Sequence, residues 1–136
     1  MRLRPEHPLA PAWSLMIAAC GPDLHAQADP WRVHPIHRDF DRFRSLSRLV
    51  GPMIYAIPEG SGWLYVGQTR QPLGSRLAQH FRESGKSKRW ANVMTLHLGS
   101  AATDAQLDTL EGTGRMVLRP ATGRRWPIRF EINVST

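Results

Sequence analysis

The chain has few of the cysteines and none of the long apolar runs that several classes of protein require. Its 136 residues include one cysteine, Cys20, which excludes a disulfide framework and a cysteine-rich zinc site. No stretch approaches the roughly 20 consecutive apolar residues of a membrane span, so the class of integral membrane proteins is excluded. Hydrophobic residues are 41% of the chain, which is enough apolar material for one packed domain. Such a domain must be held together by burial.

Acidic residues and lysine are also scarce. The chain has 11 acidic and 18 basic residues, for a formal net charge of +7. Only Lys86 and Lys88 are lysines, so arginine supplies all the other positive side chains. The flat guanidinium group of arginine matches phosphate oxygens in pairs, which makes the chain a candidate for binding nucleic acid. The alternative is a GC-rich coding sequence, which favours arginine codons whatever the protein does.

The N-terminal segment has two interpretations. Arg2 and Arg4 precede an apolar run from Leu9 to Cys20, an arrangement that a secretion signal shares. Prolines interrupt that run, however, and its larger apolar residues recur at helical spacing: Trp13, Met16, Ile17 and Cys20. The pattern favours a short helix that packs on the domain, with Cys20 as an apolar core residue. We therefore expect a cytoplasmic protein that does not contact a membrane.

Residues 1–50 are predicted to form a helical extension packed on the core. Residues 21–38 carry no sustained period and are predicted to be a connecting loop, with His25, His34 and His37 on the solvated surface. A second helix is expected from Asp39 to Val50. Its apolar face would hold the following residues: Phe40, Phe43, Leu46 and Val50.

Residues 51–136 are predicted to form an α/β (α+β) domain in which helices flank a small central antiparallel sheet of three to four strands. Residues 58–62 are a good hairpin loop, and Thr103 with Gln106 forms a capping box. Pro120 should end the helix that this box opens. The expected strands are Met53–Ile57, Trp63–Val66, Val93–Leu98 and Ile128–Val134, and the first expected helix is Pro72–Ser84.

Candidate catalytic groups cluster around the predicted hairpin. Tyr55 and Tyr65, the only tyrosines of the chain, lie ten residues apart on its paired strands. Arg76 and His80 follow one helical turn apart on the next helix, so both share a face. Glu111 lies at the border of the buried face of the later helix, where a lone carboxylate is costly unless it is paired or binds a cation. The alternatives are half-buried packing for the tyrosines and a structural ion pair between Arg76 and Glu111.

The order and spacing of these residues resemble the GIY-YIG nuclease family over residues 51–123. Such domains have two short tyrosine-bearing strands, a helix with an early arginine and a later helix with a glutamate. The chain departs from the family pattern at three positions: Met53 stands for the leading glycine of the first motif, Val66 for the isoleucine of the second, and Gly123 for a later asparagine.

The resemblance implies a metal-dependent DNA endonuclease that hydrolyses a phosphodiester bond by direct attack of water. Tyr55 would be the general base, and Tyr65 would orient the water or a phosphate oxygen. Arg76 would clamp phosphate, and His80 would share proton transfer or bind phosphate. Glu111 would be the ligand of one Mg²⁺ (or Mn²⁺) ion, together with waters and phosphate oxygens.

Basic residues near this cluster are candidates for contacts with the DNA backbone. Residues 76–89 contain five positive side chains and one negative one, Glu83. A local excess of this kind suits a surface that follows phosphates without reading bases. The predicted DNA-binding residues are Arg70, Arg82, Lys86, Lys88 and Arg89. Trp90, at the end of this run, is expected to fill the core.

Two other functions are compatible with the same residues. One is a non-catalytic DNA-binding module that keeps the fold, and the other is a nuclease toxin or phage-defence effector. A domain of this size has little room for a separate sequence-reading unit. Specificity would then come from residues 1–50, from DNA structure, or from a homodimer or partner protein.

Overall fold

A computed structural model of the chain describes residues 1–21, 24, 28–36, 43–83 and 90–121. These residues form three α-helices, four β-strands and one short 3-10 helix. The α-helices are α1 (Ala10–Cys20), α2 (Leu73–Glu83) and α3 (Asp104–Leu118), and the 3-10 helix is Ser45–Arg48. The strands are β1 (His34–Pro35), β2 (Met53–Glu59), β3 (Gly62–Thr69) and β4 (Asn92–His97).

The strands form one antiparallel sheet in the order β1-β4-β2-β3. β2 and β3 are the predicted hairpin, which turns at Gly60 with a positive φ of 59°. β4 pairs with the other side of β2, so that Tyr55 lies opposite Gly67 on one neighbour and Thr95 on the other. The expected α+β fold with a small antiparallel sheet is confirmed.

One face of the sheet packs against α1 and α3. Ile54 and Ala56 point into this core from β2, because side chains of a strand alternate between its two faces. Trp13 of α1 stacks on Trp63 of β3 with ring centroids 5.3 Å apart. Gly114 lets α3 approach this layer closely, since a Cβ there would lie 2.9 Å from Val66 Cγ1.

The other face packs against α2 and the 3-10 helix. Met53, Tyr55 and Ile57 of β2 are wholly buried on this side. Leu73 and Leu77 of α2, one helical turn apart, cover them. This second layer brings the predicted residues of α2 over the tyrosine of β2.

The helix expected from Asp39 to Val50 is wrong for residues 43–50, and residues 39–42 lie outside the described part of the chain. Phe43 has a positive φ of 67°, which an α-helix cannot contain. Only the 3-10 helix follows it, and Leu49 is already extended. Phe43 and Leu46 are still buried, whereas Val50 bridges to Pro72 and is 55% exposed. Three-residue spacing suits a 3-10 turn as well as an α-helix.

The connecting loop expected over residues 21–38 contributes more to the fold than predicted. β1 pairs with β4 and extends the sheet by one strand, and Leu24 forms a bridge to Leu98. His34 lies on β1 and is half-buried, so its expected position on the solvated surface is wrong. The first 50 residues thus supply a strand as well as α1.

Further sequence predictions concern Cys20, Trp90, membrane-spanning helices and the segments outside the described residues. Cys20 and Trp90 are both buried in the core, as expected. No helix within the described ranges combines the length and apolar character that crossing a membrane requires. Outside the described residues lie Ser84 at the end of the expected helix, the basic residues 86–89, the family position Gly123 and the strand Ile128–Val134.

The capping box at the start of α3 is confirmed and predicts a loss of stability on mutation. The amide N–H of Gln106 donates to the Thr103 hydroxyl at 3.1 Å, and the amide N–H of Thr103 donates to the Gln106 side chain at 2.8 Å. Thr103→Ala should lower the free energy of unfolding by about 1 kcal/mol, measured by urea denaturation. Thr109→Ala, on the exposed side of the same helix, should leave it unchanged or raise it slightly. Equal losses in the two variants would contradict a role for the cap.

Candidate active site

A buried hydrogen bond between Tyr55 and His80 is the centre of the candidate site. β2 carries Tyr55 and the last turns of α2 carry His80, and the Tyr55 hydroxyl lies 2.7 Å from His80 Nε2. Tyr55 is wholly buried and His80 is 9% exposed. The sequence placed both residues in one site, and the fold brings them into direct contact.

The two pKa values set the protonation states of both partners in this hydrogen bond. Burial, and then Tyr65, raise the pKa of Tyr55 above its ordinary value, although Arg76 counteracts them. Burial, and then Arg76, lower the pKa of His80 to about 4. At neutral pH the phenol therefore keeps its proton and the imidazole is neutral. In the tautomer with the imidazole proton on Nδ1, the Tyr55 hydroxyl donates and Nε2 of His80 accepts.

Arg76 lies close to this pair on the more exposed side. It is half-buried one turn before His80 on α2, and its Nη1 donates to Gln79 Oε1 at 3.0 Å. Its positive charge acts on both Tyr55 and His80. The guanidinium is thus the cation nearest to the Tyr55–His80 pair among the groups that perturb it.

Tyr65 joins the site through its ring. Its ring centroid lies 5.0 Å from that of His80, 5.0 Å from that of Trp90 and 6.1 Å from that of Tyr55. Unlike Tyr55, Tyr65 is only partly buried. Tyr65 is therefore the tyrosine of the site that reaches solvent.

Gly67 makes room for both tyrosines. A Cβ at this position would lie 2.5 Å from the Tyr55 hydroxyl oxygen and 2.9 Å from Tyr65 Cε1. Real Cβ atoms do not approach other atoms so closely, so any larger residue would displace a tyrosine. The glycine of the second motif thus has a direct steric reason in this chain.

Glu111 reaches the site from α3 next to an arginine that the sequence did not single out. Arg115 is 4% exposed; its Nη2 donates to the backbone oxygen of Val66 at 2.7 Å, and its guanidinium carbon lies 5.4 Å from the Tyr65 ring centroid. Its Nε donates to Glu111 Oε2 at 3.4 Å. The structural ion pair of Glu111 is therefore with Arg115 and not with Arg76. Its i, i+4 spacing from Glu111 was the available sequence signal.

The fit of Glu111 to a metal ion can be judged from its surroundings. The described residues contain no group of three or more histidine, cysteine, aspartate or glutamate side chains that could hold a metal. The side chain of Glu111 is 12% exposed, and its one ion pair, at 3.4 Å, is long. Mg²⁺ commonly uses one or two carboxylates and takes its other ligands from water and substrate phosphate. Glu111 fits that role as a single protein ligand.

Of the predicted DNA-binding residues, one makes contacts within the protein, one is exposed and three lie outside the described residues. Arg70 ties the end of β3 to the start of α3, because it donates to Asp104 Oδ1 at 2.9 Å and to the backbone oxygen of Ala102 at 2.6 Å. Arg82 is exposed in the last turn of α2. Lys86, Lys88 and Arg89 lie outside the described residues.

Comparison of the chain with models of protein families, with curated proteins and with solved structures found no match. The case for the chemistry of the site therefore depends on the side chains described above.

Filling the space at Gly67 should disturb the centre of the site. Gly67→Ala forces the Tyr55 hydroxyl away from its position beside His80, and we expect it to lower the free energy of unfolding by about 1–3 kcal/mol. Gly62→Ala on the same strand is the matched control, because a Cβ there meets nothing within 4 Å. Denaturation curves measure the loss, and the NMR shift of His80 Nε2 measures the change at the hydrogen bond. Identical behaviour of the two variants would refute the close approach.

The electrostatic surroundings of His80 predict opposite effects for two neighbouring variants. Arg76→Gln should raise the pKa of His80 from about 4 toward 6.5, whereas Glu83→Gln should lower it further, as measured by NMR titration. Because the unfolded chain takes up this proton at higher pH than the folded protein, stability should fall as the pH drops from 6.5 to about 4. Thermal unfolding across that window should show a smaller fall in Arg76→Gln. Shifts of the same sign in both variants would contradict this assignment.

Proposed function

We propose that this domain is a metal-dependent DNA endonuclease of the GIY-YIG type, which hydrolyses a phosphodiester bond by direct attack of water. The hydrogen bond between Tyr55 and a neutral His80, with Arg76 beside it, is the observation that carries the proposal. Phosphodiester hydrolysis needs a proton acceptor for the water and positive charge for the phosphate oxygens. This cluster contains both.

In the proposed mechanism, Tyr55 and His80 act as one proton acceptor. The Tyr55 hydroxyl takes a proton from the attacking water while its own proton passes to Nε2 of His80. A raised phenol pKa prevents a free phenolate from accumulating, so the transfer must occur as the water attacks. His80 suits the accepting role because its nitrogen is unprotonated at neutral pH.

Arg76 would bind the phosphate and open the site. Tyr55 has no exposed surface, whereas Arg76 next to it is only half-buried. A phosphate that draws the guanidinium onto its oxygens would uncover the Tyr55 hydroxyl for the water. Arg76 would then stabilise the charge that develops on the phosphate in the transition state. Tyr65, the more exposed tyrosine, would orient the water or a phosphate oxygen.

Glu111 would hold Mg²⁺ or Mn²⁺ at the edge of this cluster. When bound, such an ion supplies neutralising charge for phosphate oxygens and favours deprotonation of water. Arg115 keeps the Glu111 carboxylate in place through its 3.4 Å contact and is itself fixed to the backbone of Val66. Arg115 is thus a positioning residue for the proposed ligand.

One observation favours the second candidate function, a DNA-binding module without turnover. The Tyr55 hydroxyl is fully covered and already bonded to His80, as a structural hydrogen bond in a core would be. In that case Arg76 and the exposed Arg82 would contact backbone phosphates, and the Tyr55–His80 pair would only join α2 to the sheet.

A plasmid-nicking assay separates the two functions. We expect nicking with Mg²⁺ and none with EDTA. Tyr55→Phe should lower the nicking rate by about 100-fold or more while the fold survives, because it removes one proton-transfer group. Arg76→Ala should cost at least as much. Glu111→Ala should abolish nicking and leave DNA binding, measured by gel shift, largely intact.

The controls match the charge and chemistry of these changes. Arg4→Ala and Glu6→Ala alter exposed residues of the N-terminal segment and should leave nicking unchanged. Full nicking by Tyr55→Phe or by Glu111→Ala would disprove the proposed catalytic roles. Binding of DNA without nicking by the wild type would favour the non-catalytic module.

A further inference from the structure

A second polar cleft lies on the same face of the sheet as Tyr55, toward β1 and β4. Side chains that lie opposite each other on paired strands share a face, so Thr95, opposite Tyr55, and His97, two residues on, face the same side. His34 of β1 is on this side too, because it lies opposite the buried Val93. The segment 48–52 closes the cleft, which has a volume of about 740 Å³.

Two arginines bring positive charge to this cleft. Arg32 and Arg48 are exposed, and neither forms an ion pair with another described residue. Asp29 is the one carboxylate among the described lining residues. It already pairs with Arg2 and accepts a hydrogen bond from the amide N–H of Trp31 at 3.0 Å. The cleft therefore repels a cation and attracts an anion.

The floor of the cleft has a polar atom with an unmet hydrogen bond. Nε2 of His97 is buried and has no hydrogen-bond partner among the described residues. Such an atom is costly unless a ligand or water satisfies it. The surroundings of His34 suit an anion: burial, and then Arg32, His97 and the N-terminal amine, lower its pKa to about 4.

We propose that this cleft binds a phosphate group. Arg32 and Arg48 would each offer a forked pair of donors to its oxygens, and Nε2 of His97 would donate a third contact from the floor when the ring carries a proton on that nitrogen. The hydroxyl of Ser100 lies at the rim of the same cleft. The volume falls within the range of small-molecule sites, so the phosphate can carry further atoms.

Two sources can supply that phosphate, a nucleic-acid backbone or a small phosphorylated molecule. The proposal does not require nuclease activity, and its test measures binding in EDTA, where no metal-dependent cleavage occurs. If the nuclease proposal fails, the phosphate-binding proposal is unaffected. If the cleft does not bind phosphate, the nuclease proposal is unaffected.

The experiment compares two double variants of the full chain. Arg32→Gln/Arg48→Gln removes both charges from the cleft, whereas Arg4→Gln/Arg119→Gln removes two exposed charges elsewhere and is the matched control. Calorimetry measures binding of inorganic phosphate and of AMP, and fluorescence anisotropy measures binding of a short DNA duplex. The chemical shift of His97 Nε2, followed by NMR during the phosphate titration, reports on the floor of the cleft. Circular dichroism checks that both variants are folded.

We expect the cleft variant to lose phosphate or duplex affinity by about tenfold relative to the control variant, since two charge-assisted contacts are removed. If the source is a nucleic acid, its salt slope should also fall by about 1.8, that is 0.9 for each contact. Loss confined to inorganic phosphate and AMP would identify a small phosphorylated ligand. Equal affinities of the two variants for all three probes, or a His97 signal that phosphate does not move, would overturn the proposal.

Discussion

The hydrogen bond between Tyr55 and His80 is the interaction on which the second half of the domain depends. It joins the central strand β2 to α2 inside the core. Its geometry sets demands on its neighbours: Gly67 must lack a side chain, and Leu77 must hold α2 against the sheet. The centre of the candidate site is therefore part of the core packing.

Positive charge on this protein is organised around that same face of the sheet. Arg76 lies at the Tyr55–His80 pair, and Arg32 with Arg48 lies at the cleft near β1 and β4. Arg115, in contrast, is buried at the edge of the site and is fixed by Val66 and Glu111. Of these four arginines, Arg115 supports the structure, as Arg70 does at the start of α3, and the other three lie where they can bind an external anion. Net charge alone could not separate these roles, because it counts all of them equally.

Much of the fold could be predicted from the sequence because its strongest elements have local signals. Two short strand-like runs joined by a glycine-rich loop predicted the hairpin, and the Thr103–Gln106 capping box predicted the start of α3. The sequence predictions failed where tertiary contacts determine the local structure. β1 is two residues long and exists only because β4 pairs with it. The spacing of Phe43 and Leu46 fits both an α-helix and a 3-10 turn, and the positive φ of Phe43 leaves no local signature. The site residues were predictable as a set, but the burial of Tyr55 and the role of Arg115 depend on packing.

The cluster of Tyr55, His80 and Arg76 consists of polar side chains, which packing alone does not require. An apolar pair of similar shape at positions 55 and 80 would fill the same space without burying a hydroxyl and an imidazole, and such replacements are often neutral or stabilising. Stability by itself therefore does not account for a tyrosine, a histidine and an arginine in contact at the edge of a core. Their arrangement also keeps His80 neutral and able to accept a proton, and it holds a cation beside the phenol. These two properties suit proton transfer next to an anion, which packing alone does not require. Tyr55, His80 and Arg76 thus have a chemical reason to lie together that does not depend on the order of the motifs.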